Sequence, residues 1–448
     1  MLIANKKVFR LILILTLLST LVFSGCAPKK QSSGGESGDK VKISMSVWGM
    51  PWEDALYKDI YIPEFEKQNP NIDVVFHNYT KYDDKLVTLA AGGNAPDVMR
   101  QGADTLPKFL SKGMNLPLND YIESSGLDKS DFVKTVWDIA SKDGKVYALP
   151  QDEALLTLYY DPAAFKEAGL KEPDHNYTLD QMLKDAETLT IKKGKKVERY
   201  GLVQAWNSFT FSNYVMAFGG SIWSKDKQSS TVNSEEAIKA LEYWKKLMVD
   251  FNLTPYQSEM GQIGPDVYFQ TGKAAMFIEG TWISPSISKA APDFKFKATS
   301  FPKGERKVVT ARSVMWAVSN ESKHPDEAYK LAEYLSSKEA LTKYWQTLWV
   351  APPARYSAVK SEEFKNVTGF KDIPGMKPEE YEDKASWIVD TFDNKWDTQE
   401  WIGPHQALYS NEVDNAIQSV LVDGSKVTSK EALEKAANNI NKAIKQQQ

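Results

Sequence analysis

The chain reads as an α/β protein in which helices cover a parallel sheet. Val41, Ile43, Met45 and Val47 alternate with polar residues, and Ile72, Val74 and Phe76 do so again, as half-buried strands do. Asp97-Val98-Met99 supplies a short third strand. Helical periods separate the three, and strand–helix–strand–helix–strand order favours parallel pairing with helical crossovers. At 42% hydrophobic and 25% charged, the composition is that of an ordinary globular chain.

The elements follow in order. Trp48-Gly49-Met50-Pro51 breaks the first strand, and a helical pattern runs over 52–68 until Asn69-Pro70 stops it. A second helix is predicted near 83–91, closed by Gly92-Gly93. Residues 154–160 form a strand, and Asp161-Pro162 opens a helix over 163–168 that Gly169 ends. Thr178 starts another helix. Residues 234–248 carry Ile238, Leu241, Trp244 and Met248 on one stripe. Residues 273–278 and 314–318 are apolar strands, His324-Pro325-Asp326 leads into a helix, and the last helix spans 430–445. Ligands on parallel sheets gather at the carboxyl ends of strands, here 48–53, Tyr79 and 100–104.

Much chemistry is absent. The sequence holds no phosphate-binding loop, no dinucleotide turn and no nucleophile elbow. His77, His175, His324 and His405 are scattered, and the single Cys has no partner, so neither a metal site nor a cofactor is expected. Asp390, Asp393, Asp397 and Glu400 lack calcium-loop spacing and read as a solvated helix face. Tyr159 and Tyr160 are adjacent on a strand, so they point to opposite faces and are poorly placed to share one metal. A glycosidase-type carboxylate pair stays open, with no pair singled out. A net charge of −4 and no basic block argue against nucleic acid.

The N-terminus says where the protein works. Lys6, Lys7 and Arg10 precede an apolar stretch from Leu11 to Phe23, which is too short for a comfortable membrane span and laid out like a secretory signal. Phe23-Ser24-Gly25-Cys26 resembles the lipobox of bacterial lipoproteins, although Phe23 stands where Leu is usual. That resemblance implies a signal peptide over 1–25, lipidation of Cys26 and anchorage to the cell membrane from outside the cytoplasm. The alternative is a plain secreted chain with one stray thiol. Residues 26–40, rich in Ser, Gly and charge, read as a flexible tether. Loss of the leader removes three cations and no acid, which takes the net charge to −7.

Four further segments resemble the extracellular solute-binding proteins of ABC importers, in the sugar-binding group that includes maltose-binding protein. They are Ala90-Ala91-Gly92-Gly93-Asn94-Ala95-Pro96-Asp97-Val98, Gly144-Lys145-Val146-Tyr147-Ala148-Leu149-Pro150, Tyr159-Tyr160-Asp161-Pro162-Ala163-Ala164-Phe165 and Phe269-Gln270-Thr271-Gly272-Lys273-Ala274-Ala275-Met276, the last followed by Gly280-Thr281-Trp282. Each is weak alone; in order, they cover nearly all the mature chain. The resemblance implies a two-lobe periplasmic-binding-protein-like fold with the ligand cleft between lobes. Lobe one would be 41–151 plus 311–350, and lobe two 152–310 plus 351–448, with crossings near 151–153, 310–312 and 350–354. It implies a monomer that hands a carbohydrate to a membrane permease served by a separate ATPase, without catalysis.

A sugar offers an apolar face and a rim of hydroxyls, which aromatic plates and planar polar groups match. Trp48 and Trp52 stand at the end of the first strand. Gln101 and Asp104 follow the third, at positions that contribute to sugar sites in the family. Glu153 matches an acid at the first crossing, with Asp152 beside it as a fallback. Trp206, Asn207 and Phe209 lie in an expected loop before Phe218-Gly219-Gly220, and Trp282 follows the Gly280 turn as a stacking Trp or a core one. Arg312 and Arg355 sit at crossings, where each suits a hydroxyl pair, an acidic ligand or an interlobe ion pair equally. Trp349 and Trp401 are further aromatic candidates, each with a core reading beside it. Two alternatives stand: the same fold serving a polyamine or iron, and a secreted polysaccharide-active enzyme.

Overall fold

Strand β1 (Val41–Val47) pairs in parallel with β2 (Ile72–Asn78) along its whole length, and with β3 (Val98–Gly102) on its other side. The computed structural model describes residues 40–448 except 262, 349, 366–396, 401, 404 and 448. Cys26, the leader and the tether therefore lie outside the described residues. The expected helix after β1 runs over 51–68, but its middle, Leu56–Tyr61, is a π-turn. Pro63 has no N–H to give to the preceding turn, so the ladder slips and Ile62 donates five residues back to the Tyr57 carbonyl. The slip keeps Leu56, Tyr57, Tyr61 and Phe65 in the core.

The sheet continues through two long strands. β4 (Leu149–Tyr160) is buried at all twelve positions, starting five residues earlier than the alternation suggests. Its first half pairs antiparallel with β9 (Val308–Val318), from Leu149 opposite Trp316 to Leu155 opposite Ala311. Its second half pairs with β7 (Ala274–Gly280) and β8 (Lys297–Ser300). β9 in turn pairs with β3 through Val314–Val318. The outer edge is β6 (Lys196–Gln204), parallel to β7, with the short β5 (Ile191–Lys193) beside it. With β10 (Asp397–Glu400) on β9, ten strands form one sheet among the described residues, eight of them on a single path with β8 and β10 branching off it. Asp397 and Glu400 thus lie on a strand, not the expected helix face, because the 308–311 stretch of β9 offers them an open edge. Asp390 and Asp393 lie outside the described residues.

At the crossing the register of β4 against β9 shifts between Val314 and Met315. The Asp152 carboxylate fills the gap, accepting the Val314 N–H at 3.1 Å. A third segment joins here: Glu153 N–H donates to the Pro352 carbonyl and Ala354 N–H to that of Gln151. One apolar core gathers Ile43, Tyr57, Phe65, Trp316 and Leu331. A larger one gathers Leu158, Phe165, Tyr214, Trp244 and Leu433.

The loop expected at 206–209 is corrected by a helix, Ser208–Ala217. All ten of its residues are buried, so it carries no amphipathic stripe for periodicity to find. Its start was still legible: Asn207 is its N-cap and accepts the Thr210 N–H at 3.0 Å. Tyr159 and Tyr160 turn apart as strand geometry requires, one hydroxyl donating to the Gly280 carbonyl and the other to Glu172.

Candidate functional site

A cavity of about 990 Å³ opens at the carboxyl ends of β1 and β3 and runs to the segment after β7. One wall is aromatic: Trp48 from the end of β1, then Tyr79 and Tyr82 after β2. The floor is the crossing, with Asp152, Arg312 and Val314. Trp282, Ile283 and Ser286, from the segment after β7, line it as well.

Trp48 is held from behind. The Arg100 guanidinium lies 4.6 Å from its ring centroid, donates to its carbonyl at 2.9 Å, and Tyr82 packs at 5.2 Å. Arg100 itself is 3% exposed. It also donates to Glu53 Oε1 at 3.4 Å and to the Tyr344 hydroxyl at 3.0 Å, while that hydroxyl donates to Glu53 at 3.1 Å. Glu53 takes the Met50 N–H as well, which pins the start of the helix to the cavity base.

Trp282 is shaped by its neighbour. Gly280 has φ −71°, open to any residue, but a Cβ there would stand inside the indole of Trp282. The ring lies folded over the glycine, with Phe209 at 6.0 Å, and it packs against both cores.

The crossing is electrostatically tense. Burial raises the Asp152 pKa to about 7 against the lowering effects of the Arg100 charge and the Gln151 and Val314 hydrogen bonds, with Glu53 adding to the rise. Burial likewise raises Glu279 to about 7, opposed by the Gly280 N–H and the Arg312 charge. An acid whose pKa rises on folding contributes most below its unfolded value near pH 4, and that contribution drains away as pH climbs through 7. Asp152→Asn is expected to flatten the fall in unfolding free energy between pH 5 and pH 8 by up to about 1.4 kcal/mol per pH unit. Glu279 would leave a residual slope. Urea titrations at the two pH values measure the change, and parallel curves for variant and wild type would refute it. The new amide has a partner waiting, because Gln151 Oε1 is buried without a hydrogen bond among the described residues.

The expected residues divide clearly. Trp48, Asp104, Asp152, Trp282 and Arg312 line the cavity, with Gly280 supporting Trp282. Gln101 and Glu153 do not. Successive residues of a strand face opposite ways, and Arg100 and Asp152 take the cavity side. Gln101 is buried in a reciprocal amide pair with Asn115, and Glu153 accepts from Thr135. Trp206 packs edge-on against Trp244, and Asn207 is occupied as a cap. Phe209 reaches the site only as backing for Trp282.

Arg355 forms an ion pair with Asp131 at 2.9 Å and donates to the Ser336 carbonyl. Burial raises Asp131, but the Ser357 hydroxyl and N–H and the Arg355 charge outweigh it and bring it below the ordinary range. The Trp52 side chain, Trp349 and Trp401 lie outside what is described. Reasoning by residue type passed over Glu53, Tyr79, Tyr82 and Arg100, although three of the four lie in the strand-end segments named above.

A family model described as bacterial extracellular solute-binding protein matches residues 51–342. The arabinooligosaccharide-binding protein of Bacillus subtilis is 26% identical, over 97% of this chain and 99% of that protein. The maltodextrin-binding protein of the same organism is also 26% identical, over 78% and 82%. Among solved structures, an ABC substrate-binding protein from Listeria monocytogenes in complex with cycloalternan superposes with TM-score 0.78 at 25% identity, covering 91% of this chain and 100% of that one.

Proposed function

Because the chain belongs to the bacterial extracellular solute-binding protein family, we propose that it is the substrate-binding component of an ABC importer for a sugar or oligosaccharide. The observation that carries this is the pair of indoles, Trp48 and Trp282, lining one cavity together with the carboxyl groups of Asp104 and Asp152. An apolar plate for a sugar face beside acceptors for hydroxyls is what a carbohydrate needs. Two relatives, an arabinooligosaccharide-binding and a maltodextrin-binding protein, agree with it by name.

The division into 41–151 with 311–350, and 152–310 with 351–448, is part of the proposal, and the meeting of three segments at Asp152 supports it. Ligand touching both lobes favours the closed form, so capture is a population shift with no covalent step. The closed form is the one a membrane permease with its own ATPase would recognise.

A thermal-shift screen of the protein against neutral sugars, uronides, polyamines and ferric iron tests this. A sugar at about 100 times its dissociation constant should add roughly 2.7 kcal/mol of stability. A shift with a polyamine or iron and none with any sugar would overturn the function and leave the family. For the location we propose removal of 1–25 and anchorage through lipidated Cys26. Cys26→Ser is then expected to move the protein from the membrane to the soluble fraction, and a variant that stays with the membrane refutes the anchor.

A further inference from the structure

We infer that the ligand is an uncharged oligosaccharide, and that the Arg312–Asp104 pair is what sets its charge. This rests on the sugar-binding reading above and narrows it. Arg312 leaves the crossing strand β9 and donates to Asp104 Oδ2 at 2.7 Å, in the loop after β3. It is half exposed and lines the cavity floor, so it is the cation an acidic sugar would meet. Its charge is already matched, and so are those of the other inner cations. Arg100 is spent on Glu53, and Lys108 lies 3.6 Å from Asp84. Lys81 is exposed at the rim. Asp83 and Asp152 add two more carboxyls to the same lining.

A carboxylate entering here would leave water and find each inner cation held by an acid already, an arrangement that costs far more than it returns. Hydroxyls fit it. They donate to Asp104 and Asp83 without breaking the ion pair, and hydrogen bonds to ionised acceptors are the strong ones. Size argues for more than one sugar unit. Ligand pockets run to about 1,000 Å³ and cover most of their ligand's surface. A single sugar ring would leave most of this cavity to water, whereas a chain of rings would fill it.

Calorimetry on the purified protein decides it, with arabino- and malto-oligosaccharides from one to six units and galacturonate oligomers of the same lengths as probes. Affinity is expected to rise at least tenfold from the monosaccharide to the trisaccharide of a bound neutral series, with no binding of galacturonates. Asp104→Asn frees Arg312, and the ratio of galacturonate to neutral affinity is expected to rise at least tenfold. Galacturonates bound as tightly as neutral oligomers by the wild type, a monosaccharide bound as tightly as its trisaccharide, or an unmoved ratio in the variant would each overturn the inference while sugar binding stood. Failure of every saccharide, with binding of another solute, would instead overturn the sugar reading beneath it.

Discussion

Arg100→Met is expected to lower the unfolding free energy by about 3–5 kcal/mol, the usual consequence of removing one partner from a buried ion pair. The cause lies less in the lost attraction than in what remains. Glu53 is 7% exposed, and without Arg100 its charge keeps only the Tyr344 hydroxyl and the Met50 N–H. The Trp48 carbonyl loses a donor and the Trp48 ring loses the cation behind it. Sugar affinity should fall as well, because the plate is no longer fixed. Arg100→Met with Glu53→Met should recover part of the stability, since two apolar side chains carry no stranded charge. Recovery of sugar affinity is not expected. Urea unfolding of wild type, both singles and the double completes the cycle. A loss below 1 kcal/mol in the Arg100 single would show that the network is incidental.

Gly280→Ala is expected to weaken sugar binding by roughly thirtyfold, about 2 kcal/mol, on the assumption that one ring's burial against ligand is lost. The backbone at 280 accepts alanine, so the change acts only through the clash of its methyl with the indole. Trp282 must swing away from the position it holds against Phe209. The test is non-additivity. Trp282→Ala removes the ring, after which alanine at 280 has nothing to hit. The double variant should therefore bind no worse than Trp282→Ala alone, and additive losses would place the effect elsewhere in the turn.

Local pattern made several elements readable. Alternation fixed β1 and β2, Asp161 and Thr178 cap the helices expected of them, and the strand-end rule pointed at the segments that line the cavity. Side choice was harder. Gln101 and Glu153 are one residue from Arg100 and Asp152, and nothing in a run of buried residues says which face holds the cleft. The full lengths of β4 and β9 were hidden for a related reason: strands buried on both faces show no alternation. The Arg100–Tyr344 contact joins residues 244 apart in sequence, and no short-range signal reaches so far. Pro63 inside the first helix was passed over, and the π-turn that absorbs it keeps Tyr57 and Tyr61 buried.

The pairing of β3 with β9 has a consequence for timing. Val98 must wait for Val318 before β3 is paired on both sides, and everything between them has to be made first. Closing so long a loop is slow and unrewarded until it is done. The threading that lets two lobes share one sheet thus also leaves that sheet open in the middle until residues 308–318 have arrived.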